Sequence, residues 1–291
     1  GYVVDTLGRA FRAEVSLGLE QAAAEHDVEL IRLDHKGDRR TALRDADTLI
    51  GAGVDLAIDF QTGYDLAALV AEKYEQAGVP WIAIDIPHPG ATFFGVNNFV
   101  AGRDGGRLAA DWIKKRWGGR VERVVLAGGG SVGVAASRTR GALAGLRERL
   151  GPAARFAVET LDTRGDFEPV FRGLQQMLAR RSGGRTLIVS PADPAAAAAL
   201  TALEESGGRD EAAVLGFGGN RETRMALRAA HSRLIGCVGF LPERYGEKLM
   251  LTALRILDGE ATPPAVFVEH ALMTPENVDL LYPNDLAAVV R

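Results

Sequence analysis

The residues best suited to chemistry in this chain are those that directly follow short apolar runs, most of them polar. Read in order they are Asp5, Thr6 and Arg9; Asp59 and Gln61; Asp85; Asn97 and Asn98; Ser131 and Arg138; Asp162; Ser190 and Asp193; Asn220; and Phe240. Carboxylates, amides, guanidinium groups and an aromatic ring at the ends of strands make a hydrogen-bonding mouth suited to a polyhydroxylated ligand. Asp85 is the sharpest of them. It is the first polar side chain after the apolar run Trp81–Ile84, inside AGVPWIAIDIPHPG. Gly78 and Pro80 stop the preceding helix, and Pro87 and Pro89 turn the chain away afterwards.

The same inventory argues against catalysis. No Walker A loop, G-x-S-x-G elbow or H-E-x-x-H motif occurs, and the five histidines show no metal-ligand spacing. Gly128, Gly130 and Gly133 spell G-x-G-x-x-G between a strand and a helix, but the next strand-end acid, Asp162, lies 29 positions past Gly133, where a dinucleotide site needs about 20. These glycines read as a permissive loop. His88, between two prolines, reads as a turn residue, and Cys237 as a buried small hydrophobe. Trp112 and Trp117 share one amphipathic helix and read as packing. No nucleophile meets a base, so the expectation is a binder with no cofactor and no metal.

The elements that must carry these groups alternate along the whole chain. Strand-like runs at Tyr2–Val4, Val28–Leu33, Leu56–Phe60, Trp81–Ile84 and Thr92–Val96 enclose helices at about Phe11–His26, Arg40–Ala52 and Tyr64–Ala77. A second series follows. Its helices fall at about Gly102–Trp117, Ala136–Leu150, Phe167–Arg181, Pro194–Glu205, Glu222–Ala230 and Glu243–Leu257, with strands between them. This rhythm predicts an α/β fold with parallel sheets. More than ten strands overfill a single open sheet and overshoot the eight of a (β/α)₈ barrel. Two doubly wound, Rossmann-like lobes with a cleft at the carboxyl ends of their strands are the expected solution.

Composition bounds the partners. The chain has 291 residues, 47% apolar and 25% charged, with a net charge of −4. It has no basic surplus to hold a polyanion, so direct nucleic-acid binding is not expected. A single cysteine rules out an internal disulfide, and no apolar run approaches the roughly 18–20 residues of a membrane span. The chain opens inside its first strand, which predicts that a segment has been removed upstream of Gly1.

The order of several marks resembles the type 1 periplasmic binding proteins, nearest the ribose-binding branch of the ABC-transporter solute-binding proteins. The marks are Phe11 with Gly18, the AGVPWIAID strand, Asn97-Asn98 with the following Ala101-Gly102, and Arg138-Thr-Arg140-Gly141. Leu215-Gly-Phe-Gly-Gly219 and Leu241-Pro242 complete the set. The resemblance spans essentially the whole chain. It implies two lobes joined by three hinge crossovers, 1–98 with 240–266 and 99–239 with 267–291, closing on a sugar. It implies that Asp85 and Arg138 read a vicinal diol from opposite lobes and that Phe11 and Phe167 stack on the ring. Arg9, Arg12, Asp59 and Gln61 would fall in the other ligand loops, beside Asn97, Asp193, Asn220 and Phe240.

Departures from the ribose binders accompany the resemblance. Ala192 stands where they carry an Asn, Gly218 where they carry an Asp, Phe240 for a Gln and Arg12 for an aromatic residue. A polyol, a deoxy sugar or another small ligand fits these changes better than ribose, and Arg12 would admit an acidic one. The implied protein is a monomeric, exported, periplasmic or lipid-anchored receptor serving ABC permease subunits. The alternative is the effector domain of a cytoplasmic LacI-type repressor whose helix-turn-helix would precede Gly1. The closing segment TPENVDLLYPND resembles the solute-binding proteins more closely.

Overall fold

A computed structural model describes residues 1–61, 63–128, 132–163, 165–180, 183–207 and 211–285. The chain divides into two compact units, Gly1–Val96 with Leu241–Glu269, and Asn97–Phe240 with His270–Arg291. Each is an α/β layer structure around its own sheet.

The first unit begins β1 (Tyr2–Val4), α1 (Ala10–Glu25), β2 (Arg32–Asp34), α2 (Arg39–Gly51), β3 (Ala57–Phe60), α3 (Tyr64–Ala77), β4 (Trp81–Ile84) and β5 (Thr92–Val96). The second unit follows with α4 (Asn98–Trp117), β6 (Arg123–Ala127), α5 (Gly133–Leu150), β7 (Ala157–Leu161) and α6 (Phe167–Arg180). It continues through β8 (Thr186–Ser190), α7 (Asp193–Glu205), β9 (Ala212–Gly218), α8 (Arg221–Arg228) and β10 (Leu234–Gly239). A 3₁₀ turn, Pro242–Arg244, then α9 (Tyr245–Leu257) and β11 (Ala265–Val268) return to the first unit, and β12 (Ala271–Met273) and α10 (Val278–Leu281) to the second.

Among the described residues each unit holds one six-stranded sheet, ordered β11-β5-β4-β3-β1-β2 and β12-β10-β9-β8-β6-β7. All pairings are parallel except β10 with β12. Interior strands are buried along their length, as the unbroken apolar runs require, whereas the edge strand β2 is partly exposed and β7 largely so. Val3 and Ala57 pack on Ala46 and Leu49 of α2 and on Val70 and Tyr74 of α3. On the other face of the same sheet the Tyr2 hydroxyl bonds Ser16 of α1 at 2.8 Å.

Some elements differ from the expectation. The strand predicted over Val28–Leu33 is ordered only from Arg32, because Asp27 takes a left-handed turn and Val28 N–H still bonds the Ala23 carbonyl of α1. Helix α4 starts at Asn98, four residues ahead of expectation, because the Asn97 side chain caps it by accepting from Val100 N–H at 3.1 Å. The expected start of α9 at Glu243 is taken up by the 3₁₀ turn.

One packing contact matters directly for the site. Helices α4 and α5 touch backbone to backbone: a Cβ on Gly102 would fall on the Arg138 carbonyl, and one on Gly106 on the Ala142 carbonyl. Small residues there let the helices approach closely and set Arg138 of α5 against Asn98 at the start of α4.

Candidate functional site

The candidate residues divide between the two units, and each unit builds its set at the carboxyl end of its own sheet.

In the first unit Asp5, just past β1, is ion-paired with Arg12 of α1; Arg12 Nη2 donates to Asp5 Oδ2 at 2.9 Å. Both side chains are buried, and the Arg12 guanidinium lies 5.2 Å from the centre of the Phe60 ring. The Arg12 charge is thereby matched within the unit by Asp5. Phe11 meets Phe60 edge-on at 6.2 Å and Tyr245 at 5.4 Å, and Tyr245 meets Phe94 at 5.5 Å. Phe11 is therefore one ring of an aromatic cluster that α9 completes. Tyr245 was not foreseen, since nothing near it in sequence marks it. Arg9 is exposed at the N-terminus of α1.

Asp85 closes β4 with φ of 67°, a left-handed conformation rare outside glycine and best tolerated by Asp and Asn. Its N–H donates to the Phe94 carbonyl at 3.0 Å, and its Oδ1 lies where Gly95 leaves room: a Cβ there would stand 3.2 Å away. Ile86 and His88, the neighbours expected to tune specificity, are both buried. Neither His88 ring nitrogen has a hydrogen-bond partner among the described residues, and burial lowers its pKa to about 4.

Asp59 and Gln61 stand differently from the strand-end groups around them. Asp59 lies within β3, only 1% exposed, on the face that carries Ala57 toward α2 and α3. Gln61 is equally buried, and its Oε1 accepts from His35 Nε2 at 3.0 Å. Neither Asp59 oxygen has a hydrogen-bond partner among the described residues, and unpartnered atoms of His35, Asp45 and Tyr74 are buried in the same unit. Burial raises the Asp59 pKa to about 8, Gln61 draws it down, and the Asp5 charge adds to the rise. Asp59 is thus a buried acid held inside the unit. His35 was missed at the sequence level, and only its spacing from β2, one residue past the strand end, hinted at it.

In the second unit Arg138 is the centre. Its Nε donates to Asn98 Oδ1 at 2.7 Å, its Nη1 to the Pro191 carbonyl at 2.9 Å, and its Cζ lies 4.3 Å from the centre of the Phe240 ring. The plane of the guanidinium is fixed by two neutral oxygens and an aromatic face. Asn97 spends its oxygen on the α4 cap, so its neighbour Asn98 is the amide that serves Arg138. Asp193, at the start of α7, accepts through Oδ1 from Gly219 N–H, Asn220 N–H and the Thr223 hydroxyl. Asn220 in turn caps α8 by accepting from Thr223 N–H. Burial raises the Asp193 pKa, while Thr223, the two backbone donors and the Arg138 charge oppose the rise. Phe167 is 39% exposed and stacks on Phe171 at 5.9 Å, apart from the Arg138 group in its contacts.

Gly128 has its side-chain space filled by Gly165, and Gly130 and Ser131 lie outside the described residues. Cys237 is buried and its thiol pKa is raised by burial. No group of three His, Cys, Asp or Glu side chains among the described residues is placed to hold a metal ion. Cavities of about 200 Å³ beside Gly1 and Leu257 and about 850 Å³ beside Trp112 and His231 are lined by none of the candidate residues.

Comparison with known proteins identifies the family and the fold. A family model described as a periplasmic binding protein domain matches residues 1–261. The ribose import binding protein of Escherichia coli is 26% identical over 293 residues, covering 99% of this chain and 89% of that protein. Among solved structures, a solute-binding protein of Bacillus halodurans with bound myo-inositol superimposes with a TM-score of 0.81 at 21% identity, covering 97% of this chain and 96% of that one. A periplasmic solute-binding protein of Actinobacillus succinogenes with bound D-allose gives 0.80 at 20% identity, covering 96% and 98%.

Proposed function

The chain belongs to the periplasmic binding protein domain family, and from that premise we propose that it is the solute receptor of an ABC importer for a small, neutral, carbohydrate-like ligand. The observation that carries the reading is Arg138, whose fork is held flat by Asn98 and Pro191 over the Phe240 ring. A guanidinium fixed in plane suits two neighbouring oxygens of a diol, and an aromatic ring beside it suits the apolar face of a sugar or polyol. In the proposal Asp85 of the first unit accepts from ligand hydroxyls, with Phe11 beside it and with Arg9 at the edge. Binding bends the three crossovers, after Val96, Phe240 and Glu269.

The curated relative is named for ribose import, and the two structural neighbours hold an aldohexose and a cyclitol. Those names support a neutral polyhydroxylated ligand, and so does the Asp5–Arg12 pair, which leaves the Arg12 charge matched. The receptor role places the protein outside the cytoplasmic membrane and its partner in the membrane. No helix among the described residues is long and apolar enough to cross a membrane.

Thermal-shift screening against D-ribose, D-allose, myo-inositol, glycerol and the corresponding sugar acids tests the reading. A ligand that binds only the folded chain raises its melting point, by about 2.7 kcal/mol of added stability at one hundred times Kd. The proposal expects a shift with at least one neutral member. A shift confined to sugar acids, or none across a broadened panel, would overturn it.

A further inference from the structure

Asp193 divides its labour between two oxygens. Oδ1 accepts three hydrogen bonds, from Gly219 N–H at 2.8 Å, Asn220 N–H at 3.2 Å and the Thr223 hydroxyl at 2.6 Å. That oxygen is saturated, and it pins the loop from β9 to α8. Oδ2 takes no hydrogen bond from any described residue.

Gly218 explains where Oδ2 stands. It closes β9 with φ of 120°, and a Cβ built on it would overlap Asp193 Oδ2 and come within 2.6 Å of Cγ. The carboxylate therefore occupies the space in which the last residue of β9 would project its own side chain. A strand end that lacks a side chain has been given a carboxylate from the next helix along the sheet. Arg138 is tied to the neighbouring loop from β8 to α7, bonding the Pro191 carbonyl two residues before Asp193.

An anchor for the β9–α8 loop needs only Oδ1. A second carboxylate oxygen, half-buried and without a donor, costs free energy until a donor arrives. We propose that Asp193 Oδ2 is the acceptor for a ligand hydroxyl in the second unit, that it determines specificity beside Arg138, and that Gly218 is required to leave it room. The inference rests on the carbohydrate-receptor reading and narrows it. The ligand must offer one hydroxyl proton to Asp193 next to an oxygen that accepts from Arg138, which is the pattern of a vicinal diol. A deoxy analogue lacking that hydroxyl loses the contact, and a sugar acid placed there meets a like charge.

Asp193→Asn separates the two roles, because Asn retains an oxygen for the three loop donors and replaces Oδ2 by an amide. Calorimetry with the tightest neutral member of the panel should show affinity falling about 10- to 100-fold, with the melting temperature close to wild type. The deoxy analogue should bind wild type and Asp193→Asn alike. Thr223→Val, which removes one anchoring bond and keeps Oδ2, should lower the melting temperature and leave affinity within about threefold. Gly218→Ala, which displaces Oδ2 while keeping the acid itself, should weaken binding as Asp193→Asn does, and it carries the test if that variant does not fold. Undiminished affinity in Asp193→Asn, or in Gly218→Ala when only that variant folds, would refute the inference alone. So would parallel losses of affinity and stability in Asp193→Asn and Thr223→Val. A wild-type chain that binds no neutral sugar or polyol would refute the receptor reading and this inference with it.

Discussion

Asp59 is a carboxylic acid inside a strand, 1% exposed and without a hydrogen-bond partner among the described residues. Its pKa of about 8 against an ordinary 3.8 means that the folded chain keeps a proton which the unfolded chain has already released above pH 4. Asp59 therefore costs stability as pH rises from about 4 to about 8, at up to about 1.4 kcal/mol per pH unit. His88 works in the opposite sense. Its folded pKa near 4, against 6.5, makes the unfolded chain the stronger proton binder in that interval, so its contribution rises between pH 4 and 6.5. His88 offsets Asp59 up to about pH 6.5, and between about pH 6 and 8 the Gly1 amine, whose pKa burial lowers from 8.0 to about 6, opposes it in the same sense. The contribution of Asp59 is therefore read as the difference between variant and wild type. Asp59→Asn, uncharged at every pH, should gain stability over wild type progressively as pH rises from about 4 to about 8. A variant whose melting temperature runs parallel to wild type across that range would show that Asp59 is ionised in the fold. Asp59 was visible in the sequence as an acid near a strand end. Its burial was not, because it depends on α2 and α3 closing over the same face from up to 20 residues away in sequence. Asn97 shows the same limit, since an amide that caps a helix and one that binds a sugar look alike until the first N–H groups of α4 are located.

Helices and strands were far more legible than side-chain roles. Wholly apolar runs such as Trp81–Ile84 and Leu187–Val189 have no stable place except an interior parallel strand, and Gly78 ends α3 in the left-handed conformation that glycine favours. Edge elements were less legible: Val28–Ile31 carries apolar residues, yet the turn at Asp27 and its position beside the sheet edge keep it out of β2. The α4–α5 contact could not be read, although its glycines were in view, because Gly102, Gly106, Gly141 and Gly145 on two helices declare their meaning only when the backbones meet. Gly106→Ala tests that contact. Its Cβ would fall on the Ala142 carbonyl, so the helices must separate, at a cost of about 1–3 kcal/mol. Because the same contact sets Arg138 against Asn98, the variant should also weaken ligand binding. Loss of stability with full affinity would show that the helix spacing and the Arg138 geometry are independent.

At the scale of the molecule, both sheets have the parallel order that brings loop residues to their carboxyl ends, and each unit uses that end for a different kind of group. The first supplies an acid in a strained backbone beside an aromatic cluster, and the second a fixed guanidinium beside an acid. The family fold is carried by the apolar runs and breakers, which explains why 26% identity to a ribose import protein suffices to preserve it. In the proposal ligand identity is carried by a handful of loop residues, among them Ala192, Gly218 and Phe240, where the resemblance implies a departure from the ribose binders. The central claim is that Asp85 and Arg138, one in each unit, bind the same small ligand. Calorimetric titration of the tightest panel member into wild type, Asp85→Ala and Arg138→Ala tests it most directly. The account predicts one ligand per wild-type chain and a loss of about 1.5–3 kcal/mol in each variant, the scale of hydrogen bonds to charged groups. Affinity unchanged in both variants would contradict it.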